Sequence, residues 1–322
     1  MRFYRWKNAA LAVQGKDHIE TNTPCQDSIS TRQFNGVFAM ALGDGAGSKK
    51  ASHIGSKLIT DKITTLLTNN FDQYLILIEQ SELKTSAFES YDLLRNPLIN
   101  ELTKELNNYI IKNADIQFTD LASTLLFYAQ KNDTYIMGHL GDGMILGLVN
   151  EAGRQHLKVM SYPDNGEEAN ITFFITNDNV KEHFRIYTGK NQHLQGILMM
   201  SDGPEEVLYS PQDGVHPNAY AIFQNFHSTI PSKYVEILKS LLEKEISRFS
   251  YDDLSLNMLY LDYVDIDESN IVKSLEFFEG VMSKDQFKQS SKDTYYIDFP
   301  RINSKVHFSS GDPLDQYIRS LL

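Results

Sequence analysis

The sequence VFAMALGDGAG, residues 37–47, joins six consecutive apolar residues to a loop of glycines around a single aspartate. The apolar run is too short for a typical helix, and a continuous run of this length is typical of a strand buried on both faces. Asn35-Gly36 precedes it and is a strong hairpin signal, so residues 28–34 are predicted to pair with the run. We therefore expect a strand inside a sheet, with Asp44 at its end.

Helical and strand-like segments occupy separate blocks of the remaining chain. Apolar residues at helical spacing predict a helix from Ser48 to about residue 67, and a second over residues 83–113 that is interrupted near Pro97. A further helix is predicted over residues 232–249. Predicted strands cover residues 123–130, 134–140, 144–149, 171–176, 184–188, 197–200 and 254–261. This grouping indicates an α+β protein with largely antiparallel sheets rather than alternating βαβ units.

Charge and composition exclude several classes of function. The 322 residues carry 30 basic and 42 acidic side chains, a formal net charge of -12, whereas nucleic acids and anionic membranes attract basic surfaces. The single cysteine, Cys25, excludes an internal disulfide and suits a reducing compartment, and we read it as a small buried side chain. No apolar run approaches the ~18 residues of a membrane span. We expect a cytoplasmic protein with no nucleic-acid or membrane partner.

Aspartates recur beside glycine or a second polar residue at the edges of the predicted strands. A single Asp-Gly pair is ordinarily a turn, but two of these pairs follow the apolar runs 38–42 and 197–200. Burying unpaired carboxylates is costly, so several that converge require cations, and oxygen ligands select Mg²⁺ or Mn²⁺ over zinc. The five sites are Gln26-Asp27, Asp44-Gly45, Gly141-Asp142-Gly143, Ser201-Asp202-Gly203 and Asp252-Asp253.

In this order and spacing, the five motifs resemble those of the metal-dependent protein phosphatases of type 2C, in a divergent bacterial-type branch. The resemblance covers about residues 10–262. It implies a four-layer α-β-β-α sandwich, in which two mainly antiparallel sheets are flanked by helices. We expect a type 2C-like phosphatase domain over residues 1–264. Residues 265–322 would form a C-terminal extension, packed on the core or partly mobile, with a short helix near residues 271–282.

The same resemblance implies two or three bound Mg²⁺ or Mn²⁺ ions. Asp44 would bridge two ions, and the backbone carbonyl of Gly45 would ligate one of them. Asp202 and Asp252 would complete the shell of the other ion. Asp142 matches the position that supports a third, weaker site together with Asp202.

Asp27 would also lie at the metal centre, where it would orient metal-bound waters and, with Asp44, carry the catalysis. The implied activity is that of a serine/threonine protein phosphatase. A hydroxide that bridges two cations would attack the phosphorus of a phosphomonoester. The implied partners are a phosphorylated protein substrate and a cognate serine/threonine kinase of bacterial signalling. Two alternatives stay open: a catalytically weak pseudophosphatase that binds phosphoproteins, and a phosphohydrolase for small metabolites.

Several positions depart from the family pattern. Gln26 stands where many members have a metal-binding glutamate, and whether this neutral residue weakens the second metal site is left open. Ala46 replaces a histidine that some eukaryotic members use as an acid. Asn22 stands at the spacing of a phosphate-binding arginine, and Lys16 or His18 could substitute for it. Of these two, His18 is our candidate phosphate ligand.

Other polar residues near the motifs have ordinary structural explanations. Lys49 and Lys50 precede a predicted helix, where cations oppose the helix dipole. A solvated pair is the default reading, and attraction of phosphate is the alternative. His53 and His139 are expected to be structural or exposed histidines. Residues 173–184 are expected beside the site, and a role as a substrate-selecting flap is left open.

Overall fold

The computed structural model describes residues 2–82, 92–164, 172–227, 229, 231–265, 287–291, 294–299 and 304–309. The helix predicted near residues 271–282 lies outside these ranges, as do residues 83–91 of the second predicted helix. The strands are β1 (Arg2–Val13), β2 (Ser28–Phe34), β3 (Val37–Gly43), β4 (Leu125–Lys131), β5 (Thr134–Leu140), β6 (Met144–Glu151), β7 (Arg154–Ser161), β8 (Arg185–Lys190), β9 (Leu194–Met200), β10 (Tyr209–Ser210), β11 (Gly214–Val215), β12 (Leu254–Asp265), β13 (Phe287–Ser291), β14 (Thr294–Phe299) and β15 (Ser304–Ser309). The helices are α1 (Lys16–Thr21), α2 (Ser52–Glu82), α3 (Asp92–Lys112), α4 (Val180–His183), α5 (Asp202–Leu208), α6 (Pro217–His227) and α7 (Pro231–Lys244).

Two five-stranded antiparallel sheets form the centre of the molecule. One has the strand order β2-β3-β4-β5-β8 and the other β1-β12-β9-β6-β7. The predicted hairpin is confirmed, because β2 and β3 pair from Phe34↔Val37 onward. Asn35 and Gly36 have φ angles of 53° and 73°, the positive values that a tight two-residue hairpin turn requires.

Both faces of β3 are buried, which explains its continuous apolar sequence. Met40 and Leu42 point between the two sheets, where they join Ile197 and Met199 of the opposite sheet. Ala39 and Ala41 point the other way and pack in the cluster formed with α2 and α3. Side chains alternate between the faces of a strand, so a strand between two apolar layers has no polar face.

Helices cover the outer face of each sheet. Residues of α2 and α3 pack on the β2-β3-β4-β5-β8 sheet, and residues of α5, α6 and α7 pack on the other. The result is the α-β-β-α sandwich with two antiparallel sheets, so the predicted fold class is confirmed. Among the helices of the described ranges, none has the length and apolar character needed to span a membrane.

Two boundaries of the predicted helices were wrong. Pro97 lies inside α3 and does not interrupt it, because the fully buried Leu94 and Leu98 flank it and fix the helix by packing. The first helix does not end near residue 67. A kink at the non-helical Asn70 (φ -125°, ψ 17°) is followed by a second helical part that continues to Glu82.

The strand predicted over residues 171–176 was also wrong. Residues 172–176 form no sheet strand but a loop with turns. Ile175 is 1% exposed and packs in the core beneath α2 and α3, and its N–H donates to the carbonyl of Ser123 (3.0 Å). The apolar residues here anchor a loop to the core, a function that sequence periodicity cannot distinguish from a buried strand.

Several elements were not predicted, namely β1, α1, β7, α4, α5, β10, β11, α6 and the strands after residue 286. β1 shows why. Its buried residue Lys7 pairs with Asp262 of β12 at 2.7 Å, so charged residues occupy positions where a pattern-based prediction requires apolar ones. β13, β14 and β15 form a three-stranded antiparallel sheet. The packing of residues 265–322 on the core stays a prediction.

Candidate metal centre

The five aspartate motifs lie at one end of the sandwich because of the antiparallel register. Asp27 precedes β2, Asp44 follows β3 and Asp142 follows β5. In the second sheet Asp202 follows β9 and Asp252 precedes β12. Antiparallel pairing brings the start of one strand beside the end of its neighbour. The registers that do so pair Ser28 with Gly43, Leu125 with Leu140, Met144 with Met200 and Leu256 with Met200.

A hydrogen bond joins the two sheets at this end. The Ser201 hydroxyl donates to Oδ2 of Asp27 at 2.9 Å, and the N–H of Ser255 donates to the same hydroxyl oxygen at 3.1 Å. Asp27 and Ser201 are both buried. This contact fixes the carboxylate of Asp27 relative to the motifs of the opposite sheet.

The carboxylates at this end interact electrostatically with one another. Burial raises the pKa of Asp44 well above its ordinary value, and the charges of Asp202, Asp27 and Asp142 raise it further. Burial likewise raises the pKa of Asp27 to about 7, against the opposing effect of hydrogen bonds from serine hydroxyls. The pKa of Asp202 is raised by burial and then by Asp142 and Asp252. The structure therefore brings all five predicted aspartates together.

Unpaired carboxylate oxygens show that the cluster fits cations. Oδ1 of Asp27 and Oδ1 of Asp142 are buried, and neither has a hydrogen-bond partner among the described residues. The other oxygen of Asp142 accepts a short hydrogen bond from the Thr172 hydroxyl. Buried carboxylate oxygens without donors are costly, and bound divalent cations together with the waters they hold would satisfy them. An all-oxygen donor set suits Mg²⁺ or Mn²⁺.

The backbone around Asp44 is held by β4 and α2. The Asp44 N–H donates to the Thr124 hydroxyl at 3.0 Å, and the Thr124 N–H donates back to the Asp44 carbonyl at 2.8 Å. The Gly45 N–H donates to the carbonyl of Gln26 at 3.2 Å. A Cβ on Gly45 would lie 2.8 Å from the carbonyl of Ser52, so only glycine fits. The sequence did not point to Thr124 or Ser52.

Asp253 is the main site residue that the sequence prediction missed. It is 2% exposed and accepts the N–H of Gly15 at 2.7 Å and the N–H of Gln26 at 2.5 Å. Its Oδ1 also lies 2.9 Å from Nδ1 of His18. The Asp252-Asp253 pair was the only signal in the sequence, and the prediction selected its first member alone.

We expect Asp253→Ala to destabilise the protein by about 2–5 kcal/mol, because it leaves two buried N–H donors without an acceptor. Urea unfolding of the metal-free protein measures this change. Asp61→Ala is the matched control, since the Asp61 side chain is 54% exposed and, among the described residues, pairs with Lys57 alone on the surface of α2. If the urea midpoint of Asp253→Ala equals that of the control, the account of Asp253 as the acceptor that holds the two N–H groups is contradicted.

The predicted phosphate ligand, His18, lies on the Asp252 side of the cluster. Ligand atoms of His18, Asp252 and Asp253 fall within 4.8 Å of one another. Its Nδ1 faces Asp253, and its role toward phosphate stays a prediction. Cys25 is half-buried, not fully buried as predicted. Burial, followed by the charges of Asp253 and Asp27, raises the pKa of Cys25, which favours the neutral thiol.

His139 is structural in the way the sequence indicated. It is fully buried, with Nδ1 2.7 Å from the Ser161 hydroxyl and Nε2 2.9 Å from the carbonyl of Gly141. Burial lowers its pKa well below the ordinary value, so the neutral ring connects the end of β7 to the Asp142 loop.

Comparisons with known proteins agree with this geometry. A family model described as "Protein phosphatase 2C" matches residues 14–243, and no curated protein matches significantly. The crystal structure of a bacterial serine phosphatase has a TM-score of 0.53 at 15% identity, covering 82% of this chain and 100% of that chain. The crystal structure of serine/threonine phosphatase Stp1 from Staphylococcus aureus has a TM-score of 0.52 at 15% identity, and the match covers 80% of this chain and 95% of that chain.

A third structure carries metal ions. The catalytic domain of the serine/threonine protein phosphatase PstP, in complex with two manganese ions, has a TM-score of 0.50 at 14% identity, covering 81% of this chain and 100% of that chain. These likenesses show the fold, and the family model spans more than two thirds of the sequence. The chain therefore belongs to the protein phosphatase 2C family.

Proposed function

We propose that this protein is an Mg²⁺- or Mn²⁺-dependent serine/threonine protein phosphatase. The observation that carries the proposal is the convergence of five aspartates, four of which (Asp27, Asp44, Asp142 and Asp202) have pKa values raised by burial and by neighbouring carboxylates. Such a cluster is costly unless cations neutralise it. The family assignment and the fold shared with serine/threonine phosphatases, one of them bound to manganese, support the same activity.

The residues present suit two or three cations. Asp44 and the Gly45 carbonyl would bind the central cations. Asp202 and Asp252 would be ligands on one side, and Asp142 would be a ligand on the side of the Thr172 loop. When bound, the cations would supply a water of lowered pKa as the nucleophile and neutralise charge on the phosphoryl oxygens.

Asp27 would position that nucleophile from the protein side. The Ser201 hydroxyl occupies its Oδ2, which leaves Oδ1 to accept a hydrogen bond from the attacking water. The carboxylate would thus orient the attacking water toward phosphorus, in line with the leaving oxygen. No phosphorylated enzyme residue is needed, in agreement with the neutral thiol of Cys25.

We propose a phosphorylated protein as the substrate and a serine/threonine kinase as the enzyme that supplies it. The reducing compartment indicated by the single cysteine and the net charge of -12 support a cytoplasmic location without nucleic-acid partners.

A pseudophosphatase that binds phosphoproteins is the second candidate function. Gln26 is the observation that favours it, because a neutral amide stands beside the cluster where many family members have a carboxylate. Fewer charged ligands weaken the binding of divalent cations, so a poorly occupied second site would leave phosphate binding without efficient turnover.

Hydrolysis of p-nitrophenyl phosphate and of a phosphothreonine peptide, each with Mn²⁺ and with EDTA, tests the proposal. We expect turnover of both substrates in Mn²⁺ and none in EDTA. Turnover of the ester alone would favour the small-metabolite alternative. Binding of Mn²⁺ and phosphopeptide by folded protein, without turnover at any Mn²⁺ concentration, would establish the pseudophosphatase instead.

A further inference from the structure

A cavity of about 330 Å³ lies beside the metal centre. Gln26, which precedes Asp27, forms one wall, and Gly47, at the end of the Asp44 loop, forms another. Lys49, Lys50, His53 and residues 22–24 also line it. The cavity is therefore continuous with the loops that carry the candidate metal ligands, yet none of the five aspartates lines it.

Polar atoms on the cavity wall have no partner within the part of the chain that the structure describes. Gln26 is 2% exposed, and its Nε2 donates to the carbonyl of Lys49 at 3.3 Å, which leaves Oε1 unpaired. A Cβ on Gly47 would lie 3.9 Å from that oxygen, so Oε1 faces the Gly47 side of the cavity. Nδ1 of His53 is also buried without a partner. An unpaired buried acceptor calls for a ligand that brings an N–H or O–H donor.

The two lysines of the cavity differ in what they already bind. Lys50 is occupied, because its Nζ donates to the carbonyl of Asp115 at 2.6 Å and lies 3.3 Å from Asp120. Among the described residues, Nζ of Lys49 forms no hydrogen bond or ion pair. Lys49 also precedes α2, whose N-terminus carries a partial positive charge. Lys49 interacts with Asp120 through charge attraction without a direct ion pair, so it is the lysine of this cavity that an anionic group can pair with directly.

We propose that this cavity binds an acidic residue of the substrate, an aspartate or glutamate near the phosphorylated side chain. Its carboxylate would pair with Lys49, and a backbone N–H of the same peptide segment would donate to Oε1 of Gln26. The volume of about 330 Å³ lies at the lower end of the range of ligand pockets, about 300–1,000 Å³, and is sufficient for one acidic side chain. The inference rests on the proposed phosphatase function, because it names the substrate class of that same site.

Phosphothreonine peptides that differ at a single flanking position test this preference. Glutamate, alanine or lysine is placed in turn at each of three positions on either side of phosphothreonine, and kcat/KM is measured with Mn²⁺. At one position we expect the kcat/KM of the glutamate peptide to exceed that of the lysine peptide by about tenfold, equivalent to about 1.4 kcal/mol. Lys49→Glu should invert that ratio. Lys57→Glu, a surface lysine of α2 paired with Asp61, should leave it unchanged.

Equal rates for glutamate and lysine at every position would overturn the proposal, as would a ratio that Lys49→Glu leaves unchanged. If Lys49→Glu instead raises KM equally for all peptides and weakens inhibition by inorganic phosphate, Lys49 binds the phosphoryl group itself. This outcome also overturns it. If wild-type protein hydrolyses no substrate, the proposed function fails separately. Fluorescence anisotropy of the same peptides on Mn²⁺-loaded protein then still compares glutamate with lysine at the cavity.

Discussion

Asp44→Asn is expected to lower the Mn²⁺-dependent kcat/KM for a phosphothreonine peptide by about a thousandfold or more, because it removes the central charge of the cation cluster. Steady-state phosphate release at saturating Mn²⁺ measures the loss. Asp61→Asn, an isosteric change at an exposed aspartate of α2, should keep wild-type activity. The backbone of Asp44 is fixed by Thr124, so the variant should fold normally.

The metal-free Asp44→Asn protein should be more stable than metal-free wild type at pH 8. Burial and neighbouring carboxylates raise the pKa of Asp44, so its ionised form destabilises the folded state, and a neutral amide removes that cost. A loss of activity accompanied by a gain in metal-free stability cannot come from misfolding. Activity within tenfold of wild type would contradict the central role of Asp44.

Asp27 should lower the stability of the metal-free wild-type protein as the pH rises from about 4 to about 7, against an opposite contribution from the buried His139, so its effect is measured as the difference from Asp27→Asn. The pKa of Asp27 is 3.8 ordinarily and about 7 in the folded protein. The folded state therefore holds a proton that the unfolded chain releases, and stability is fully present only below the lower value. For Asp27 alone the loss is on the order of 4 kcal/mol. Asp44 and Asp202 add to it in the same direction.

Saturating Mn²⁺ should reverse this dependence, because cations bind the ionised carboxylates and displace their protons. At a thousandfold excess over Kd the stabilisation is about 4 kcal/mol. Urea unfolding at pH 5, 6, 7 and 8, with EDTA and with Mn²⁺, measures both effects. Asp27→Asn should remove the contribution of Asp27 from the metal-free profile. A metal-free difference between wild type and Asp27→Asn that does not change with pH, or a wild-type stability that Mn²⁺ does not change at pH 8, would contradict the cluster as described.

The fold was predictable where burial on two faces dictates sequence. The short apolar run of residues 37–42 indicated an inner strand, and Asn35-Gly36 indicated the turn that pairs it with β2. β1 was hidden because its buried Lys7 is matched by Asp262, more than 250 positions away, a pairing that depends on tertiary structure. α5 was hidden because Ser201-Asp202-Gly203 reads as a turn, although it begins a helix.

The sequence predicted which carboxylates form the candidate site, but it did not predict the hydrogen bonds that hold them in place. Motif order identified Asp44 and Asp202, since each directly follows an apolar strand. Asp253 could not be distinguished from Asp252 in sequence, because its role depends on two backbone N–H groups brought to it by α1 and β2. The bond from Thr172 to Asp142 likewise depends on a loop whose conformation the sequence did not reveal.

Anomalous diffraction at the manganese edge, from crystals soaked in Mn²⁺, tests the metal centre most directly. We expect at least two peaks among the five aspartates, with the Asp44 carboxylate in contact with more than one of them. Asp44→Asn crystals treated in the same way should lose these peaks. The absence of any peak at this end of the sandwich at saturating Mn²⁺, or peaks only elsewhere on the surface, would contradict a divalent cation centre built from these residues.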